Sequence, residues 1–236
     1  MNRSEIEPGA ATAAGSGCCC PGAVRLPDAD RIRAWWDLQR ERFPGFELVP
    51  HIQRLLVEGE PVALEQLAEA ASWQVKDVEA ALLQHPGVDW DGQGRLVGFG
   101  LTLRPTPHRF TFDGRTVYGF CASDALQFPV VLGRPGVVES TCPATGRSIR
   151  VEVTPERVER VDPPSAMVSL VRPATFDDIR SAGCDLGHFY ASPEAAAAWQ
   201  AAYGGTVHSV EEEFLQTRQM MERVGWAANG GGGDGR

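Results

Sequence analysis

Several absences narrow the possibilities for this chain. No apolar run approaches the roughly 18–20 residues that a membrane span requires. The opening "MNRSEIEPGAATAAGSG" has no apolar core of the secretion-signal type. The expectation is therefore a cytoplasmic protein with no membrane partner, its six cysteines present as thiols. No CxxC pair occurs, so zinc ribbons and thioredoxin-type sites lose their usual support. No glycine-rich loop opens a helix to cradle a phosphate, and the "GGGG" near the C-terminus is no exception. No basic stretch of any length is present, and a net charge of −9 argues against nucleic acid as a partner, because phosphate contacts need a basic face.

What is present suits a soluble globular protein. The chain has 236 residues, 43% hydrophobic and 22% charged, enough for one sizeable core or a small domain joined to a larger one. Residues 1–27 are rich in Ala, Gly, Ser and Pro and read as a disordered tail carrying Cys18, Cys19 and Cys20; residues 229–236 read as a Gly-rich disordered tail. Between them a helical part, 28–103, precedes an α+β part, 104–228. In the first, a helix runs from Asp28 to Pro44-Gly45, and "ELVPHIQRLLVEG", "VALEQLAEAASW" and "QVKDVEAALLQHP" predict three more, the last two split by a tight turn near Ser72. "VDWDGQGRLVGFG" predicts a hairpin. Three helices followed by a hairpin form the pattern of a winged helix-turn-helix. The would-be recognition helix, however, sets Lys76 against Asp77 and Glu79 and offers no arginine to read guanine edges. A packing or lid role fits it better.

The α+β part opens with "RFTFDGRTVYGF", alternating about an Asp113-Gly114 turn. "GVVESTC" and "SIRVEVT" predict a strand pair, and "SAMVSLVRP", "HFYAS" and "TVHSV" predict further strands. "TFDDIRSAG" predicts a short helix. "SPEAAAAWQAAY" predicts a helix capped by Ser192, and "EEEFLQTRQMMERVGW" a closing one. Short strands mixed with helices define the expected α+β class.

Three cysteines in this part invite a chemical reading. Cys121 and Asp124 fall at i and i+3 in "CASDALQF", on one face of a helix expected to run until Pro129 interrupts it. A helix N-terminus favours a thiolate, whereas a neighbouring carboxylate opposes it. A proton shared between the two would suit acid–base work, although residue types alone favour an ordinary buried thiol. Cys184 lies in a Gly-flanked loop four residues before His188, but Gly187 and the following strand spoil a helical metal-ligand pair, so His188 reads as structural. Cys142 precedes a turn and reads as a buried strand-end thiol.

Four segments together say more. "YGFCASDALQFPVVLGR", "STCPATGRSIRVEVTP", "MVSLVRP" and "CDLGHFYAS", in this order and spacing, resemble the organomercurial (alkylmercury) lyases of bacterial mercury resistance over roughly residues 48–215. The resemblance implies that Cys121, Asp124 and Cys184 are the catalytic residues, that Cys121 and Cys184 hold the mercury(II) product with Asp124 as a further candidate ligand, and that Cys142 is structural. The pattern departs at Asp185, where the family often has another cysteine, and at Phe120, where it often has Trp.

The implied reaction is protonolysis of a carbon–mercury bond, R–Hg–X giving R–H and Hg(II). Soft thiolates suit soft mercury, and a carboxylic acid in a dry pocket can protonate the poor carbanion leaving group. No cofactor is implied. The partners implied are an organomercurial substrate, low-molecular-weight thiols and a mercuric reductase to take the product. The contiguous Cys18–Cys20 lie outside the resemblance and are either a metal-capturing arm or an unselected feature of a tail. Two other readings fit the thiols: a metal-sensing winged-helix regulator, and a non-catalytic mercury-binding protein that would not need Asp124.

Overall fold

The computed structural model describes residues 29–83, 85–172 and 179–228. The two tails, with Cys18, Cys19 and Cys20, lie outside the described residues, as does most of the first half of "TFDDIRSAG". The helical part folds as α1 (Ala29–Arg42), a 3-10 turn at Phe46–Leu48, α2 (Val49–Leu56), α3 (Leu64–Ala71) and α4 (Val75–Leu82). Ser72 adopts the left-handed conformation (φ 58°) that ends α3, and Trp73 N–H closes back on the Ala68 carbonyl at 2.9 Å. On α4 only Val78 and Leu82 are buried; Lys76, Asp77 and Glu79 face outward. The helix docks by its apolar stripe and presents an acidic face.

The hairpin of β1 (Asp89–Trp90) and β2 (Leu96–Phe99) is closed by Asp91, whose side chain accepts from the backbone N–H groups of Gln93 (2.8 Å) and Arg95 (2.9 Å). A short strand β3 (Leu101–Thr102) then pairs with β5 (Arg115–Gly119), setting Leu101 opposite Gly119. That pairing makes one antiparallel sheet of eight strands from both parts of the chain, in the order β1-β2-β3-β5-β4-β6-β7-β8, where β4 is His108–Phe112, β6 Gly136–Thr141, β7 Ser148–Val153 and β8 Val158–Asp162. The β4–β5 turn has positive φ at Asp113 (44°) and Gly114 (74°), as an Asp-Gly hairpin demands. A second antiparallel sheet places β9 (Met167–Leu170) between β10 (Phe189–Tyr190) and β11 (Thr206–Ser209).

Helix α5 (Ala122–Leu132) runs through the middle of the core, packed against α2, both sheets and the closing helix α8 (Val210–Arg223). It does not stop at Pro129. The proline sits inside the helix, fully surrounded, and the chain turns only at Gly133 (φ 65°). Proline costs one backbone hydrogen bond there, but burial of Phe128, Val130 and Val131 along the same turn outweighs it. The remaining helix α7 (Pro193–Tyr203) starts as expected, with Ser192 Oγ accepting from Ala195 N–H at 3.3 Å. Strands β8 and β3 were not legible in the sequence: β8 is largely exposed, so it lacks clear alternation, and β3 is only two residues long. The class is α+β. Among the described residues, no helix is long and apolar enough to cross a membrane.

Phe110 is wholly buried on β4, with ring centroids 5.5 Å from Phe112 and 5.7 Å from Phe128, and a Cβ on the facing Gly136 would lie 2.5 Å from its ring. Phe110→Ala would empty a space that glycine was needed to admit. Chemical denaturation should show a loss of about 3–5 kcal/mol; a loss under about 1 kcal/mol would mean that the sheet collapses to fill the cavity.

Candidate functional site

Cys121 is the last residue before α5, with extended backbone (φ −138°, ψ 174°), and serves as the helix N-cap. Its Sγ accepts from Asp124 N–H at 3.3 Å, while an Asp124 carboxylate oxygen accepts from Cys121 N–H at 3.2 Å. This is a reciprocal capping box in which sulfur takes the place of a hydroxyl. The i,i+3 spacing thus does more than align two side chains. The local fold holds both groups rigidly, one turn apart, facing the same space.

Cys184 comes from far along the chain. It opens a 3-10 turn (Cys184–Leu186) directly after α6 (Ile179–Ala182). Ala122 N–H, in the first turn of α5, donates to the Gly187 carbonyl at 3.0 Å, and Gly187 N–H donates to the Cys184 carbonyl at 3.0 Å. Ser169 on β9 holds the other side, its hydroxyl accepting from His188 N–H at 3.0 Å and donating to the Leu186 carbonyl at 3.2 Å. Only glycine fits at 187, because a Cβ there would lie 2.9 Å from the Cys121 Cβ. The result is one cluster: the sulfurs of Cys121 and Cys184 and a carboxylate oxygen of Asp124 all lie within 4.8 Å of one another.

Electrostatics favour thiols over thiolates in this cluster. The hydrogen bond to Cys184, burial and the nearby Asp124 charge push the Cys121 thiol well up, outweighing the Asp124 backbone N–H. For Cys184 the hydrogen bond with Cys121 lowers the pKa, but burial and the Asp124 charge more than cancel it. The helix N-terminus expected to favour a thiolate therefore loses to burial. Asp124 is pushed up to about 6, chiefly by burial, while hydrogen bonds from the Cys121 side chain and backbone and the charge on Arg180 restrain the rise. Near neutral pH the cluster holds a carboxylate beside two thiols.

The cluster lies in the wall of a cavity of about 150 Å³. The helical part supplies Trp36, Phe43, Phe46 and Phe99, and the C-terminal segment supplies Met220, Met221 and Trp226, making much of the lining aromatic or sulfur-rich. Arg180 was not visible from sequence. Its guanidinium lies 3.5 Å from the Phe120 ring centroid and pairs with Asp89 and Asp185, each at 3.1 Å. It ties the Cys184 segment to the hairpin and to the residue before Cys121. Phe120 and Asp185, the two departures from the family pattern, are both its partners.

The other sequence candidates fall outside the cluster. His188 sets its ring against His108, with centroids 5.8 Å apart, and supplies no donor to the cluster. Cys142 is fully buried at the end of β6. Burial raises its thiol pKa, but hydrogen bonds from the Thr145 hydroxyl and from backbone N–H groups of Ala191, Ala144 and Thr145 bring it below the usual value, so the sulfur anchors its turn.

Known proteins share both the sequence and the fold. The family model for alkylmercury lyase matches residues 101–222, and that for the helix-turn-helix domain of alkylmercury lyase matches residues 44–100. An alkylmercury lyase of Staphylococcus epidermidis is 43% identical over 171 residues, 72% of this chain and 79% of that protein. One from Bacillus cereus is 44% identical over the same length, covering 72% and 78%, and one from Pseudomonas putida is 46% identical over 152 residues, covering 64% and 72%. The crystal structure of the mercury-bound form of MerB2 matches with a TM-score of 0.70 at 21% identity, over 82% of this chain and 98% of that one, a likeness of fold. By its sequence similarity, this chain belongs to the alkylmercury lyase family.

Proposed function

We propose that this protein cleaves the carbon–mercury bond of organomercurials by protonolysis, with Cys121, Cys184 and Asp124 as its catalytic residues. The observation that carries the reading is the cluster itself: two soft sulfurs and a carboxylate of raised pKa within 4.8 Å, in the wall of an apolar cavity. Two sulfurs can hold mercury, and the carboxyl can hold a proton beside it. The aromatic wall gives the organic group R a place and excludes water from the leaving carbon. The helical part, residues 28–103, serves as that wall.

The first cysteine sulfur to reach mercury in R–Hg–SR′ displaces the thiolate R′S⁻, which departs as R′SH with that cysteine's proton. The second sulfur binds mercury as its own proton passes to the Asp124 carboxylate. Asp124 then delivers this proton to carbon as the carbon–mercury bond breaks. The products are R–H, R′SH and mercury(II) bound by both sulfurs, from which external thiols or a mercuric reductase would take it.

Headspace measurement of methane or benzene from methylmercury or phenylmercury, with excess thiol, tests the reading. Wild type should release hydrocarbon; Cys121→Ala and Cys184→Ala should release none above buffer, and Asp124→Asn should lose about 10²–10⁴-fold. Tight mercury binding by the wild type without hydrocarbon would make it a binding protein instead.

The ionisation of Asp124 sets the pH dependence. Because the carboxylate must accept a thiol proton, kcat/KM should rise about tenfold per unit up to pH about 6 and then level. Arg180 favours the carboxylate, so Arg180→Gln should move this limb to higher pH; an unmoved limb would show its charge to be idle. The folded protein holds the Asp124 proton more tightly than the unfolded chain does. Its contribution to stability is therefore full below pH about 4 and lost as pH rises through about 6. Relative to Asp124→Asn, wild type should lose on the order of 3 kcal/mol across that window, and parallel stability curves would show that the pKa is not raised.

Gly187→Ala places a methyl group against Cys121 and should separate the sulfurs. Hydrocarbon release should fall by at least about tenfold, each 1.4 kcal/mol of misplacement costing that much. Retention of full activity would mean that the loop yields without moving Cys184.

A further inference from the structure

The cavity has a second charged end that the proton-transfer chemistry does not use. Glu213, on α8, is only 1% exposed. Its Oε1 accepts from the Ser123 hydroxyl at 2.6 Å and from the Thr217 hydroxyl at 3.5 Å, while its Oε2 has no hydrogen-bond partner among the described residues. Arg172, just after β9, lines the same cavity, and no hydrogen bond or ion pair engages it among the described residues. Burial lowers the pKa of its guanidinium and the charge on Glu213 raises it, so the two groups sense each other without closing into a pair. A buried carboxylate oxygen and an arginine in one cavity, each without a partner among the described residues, make a half-satisfied arrangement, which a ligand's polar end can complete.

The position of this charged end gives it a meaning. Glu213, Gln216, Thr217, Met220 and Met221 all line the cavity from one face of α8. Seven residues, about 10 Å along the axis, separate Glu213 from Met220. The polar end adjoins Ser123, which lies between Cys121 and Asp124 in the chain. The apolar end leads to Trp226, packed against Phe46 at 4.6 Å and Trp36 at 5.6 Å between centroids. The substrate has two ends of matching contrast. In R–Hg–SR′ the two-coordinate metal holds its ligands on opposite sides, so a pocket that seats R against the aromatic wall must also seat R′.

We infer that the Glu213–Arg172 end of the cavity is a subsite for the thiol carrier R′SH, specific for amino-acid-type thiols that present an ammonium to Glu213 and a carboxylate to Arg172. This rests on the lyase reading, since it assigns the leaving thiol of that reaction. A neutral thiol would leave both charges without partners. A zwitterionic one satisfies the free oxygen and the free guanidinium together, and positions the sulfur to depart beside the cysteines.

The test compares kcat/KM for hydrocarbon release from methylmercury supplied as its adduct with L-cysteine, cysteamine, 3-mercaptopropionate or 2-mercaptoethanol, one thiol per reaction. Wild type should favour the cysteine adduct over the 2-mercaptoethanol adduct by about tenfold or more, the usual scale for a hydrogen bond to a charged group. Glu213→Gln should abolish the advantage of cysteamine but keep that of 3-mercaptopropionate, and Arg172→Gln should do the reverse. Equal rates with all four thiols in wild type, or one uniform factor lost by both variants, would overturn the inference. Calorimetric titration with S-methylcysteine, which carries the zwitterion but cannot form a thiolate, reads the subsite without turnover. Binding by wild type and its loss in both variants is expected, and absence of binding overturns the subsite. Hydrocarbon from no adduct, with S-methylcysteine still bound, would overturn the lyase reading and leave the subsite standing. Should Glu213→Gln fail to fold, Arg172→Gln compared on cysteamine and 3-mercaptopropionate still decides.

Discussion

The hydrogen bond from Ala122 N–H to the Gly187 carbonyl joins two segments that lie far apart in the chain. The amide belongs to the first turn of α5, where backbone donors lack helical partners. The carbonyl belongs to the loop that carries Cys184. The bond brings the sulfur of Cys184, carried by the 3-10 turn after α6, onto the N-terminus of the central helix. Gly187 makes the approach sterically possible, and Ser169 fixes the far side of the loop. Together with the Cys121–Asp124 capping box, these contacts hold the three donor groups in one cluster.

Placing the cluster in a dry wall has an electrostatic consequence. Burial penalises every charged form in it, so both thiols hold their protons and the one carboxylate is driven towards neutrality. Arg180 opposes this, held in place by Phe120, Asp89 and Asp185. The balance leaves one proton acceptor beside two proton donors near neutral pH, which is the inventory that the proposed reaction consumes. A drier site would neutralise Asp124 altogether, and a wetter one would leave carbon to compete with solvent for the proton.

The part of the chain that matches the helix-turn-helix model, residues 44–100, together with the end of the preceding segment, forms a side of the cavity. Phe43, Phe46, Val49 and Gln53 line the cavity, whereas the exposed face of the fourth helix is acidic. Continuity of the sheet through β3 and β5 fixes this part against the part that bears the cysteines. The pocket thus has one wall from each, aromatic on the helical side and charged towards Ser123 and Glu213.

Features that depend on neighbours in sequence were legible without a structure. These include the amphipathic helices, the Asp113-Gly114 hairpin, the Ser192 cap and the proximity of Cys121 to Asp124, because each rests on spacings of a few residues. The partnership of Cys184 with this pair was legible only through resemblance, since no local signal links the two segments. The path of α5 through Pro129, the exposed strand β8, the anchoring of Arg180 and the free oxygen of Glu213 were not legible at all. Each depends on how much surrounding chain excludes water, and burial is a property of the assembled molecule rather than of any stretch of it. For the same reason, spacing along the chain shows that Cys121 and Asp124 can exchange a proton, whereas the burial that folding creates sets which of them holds it.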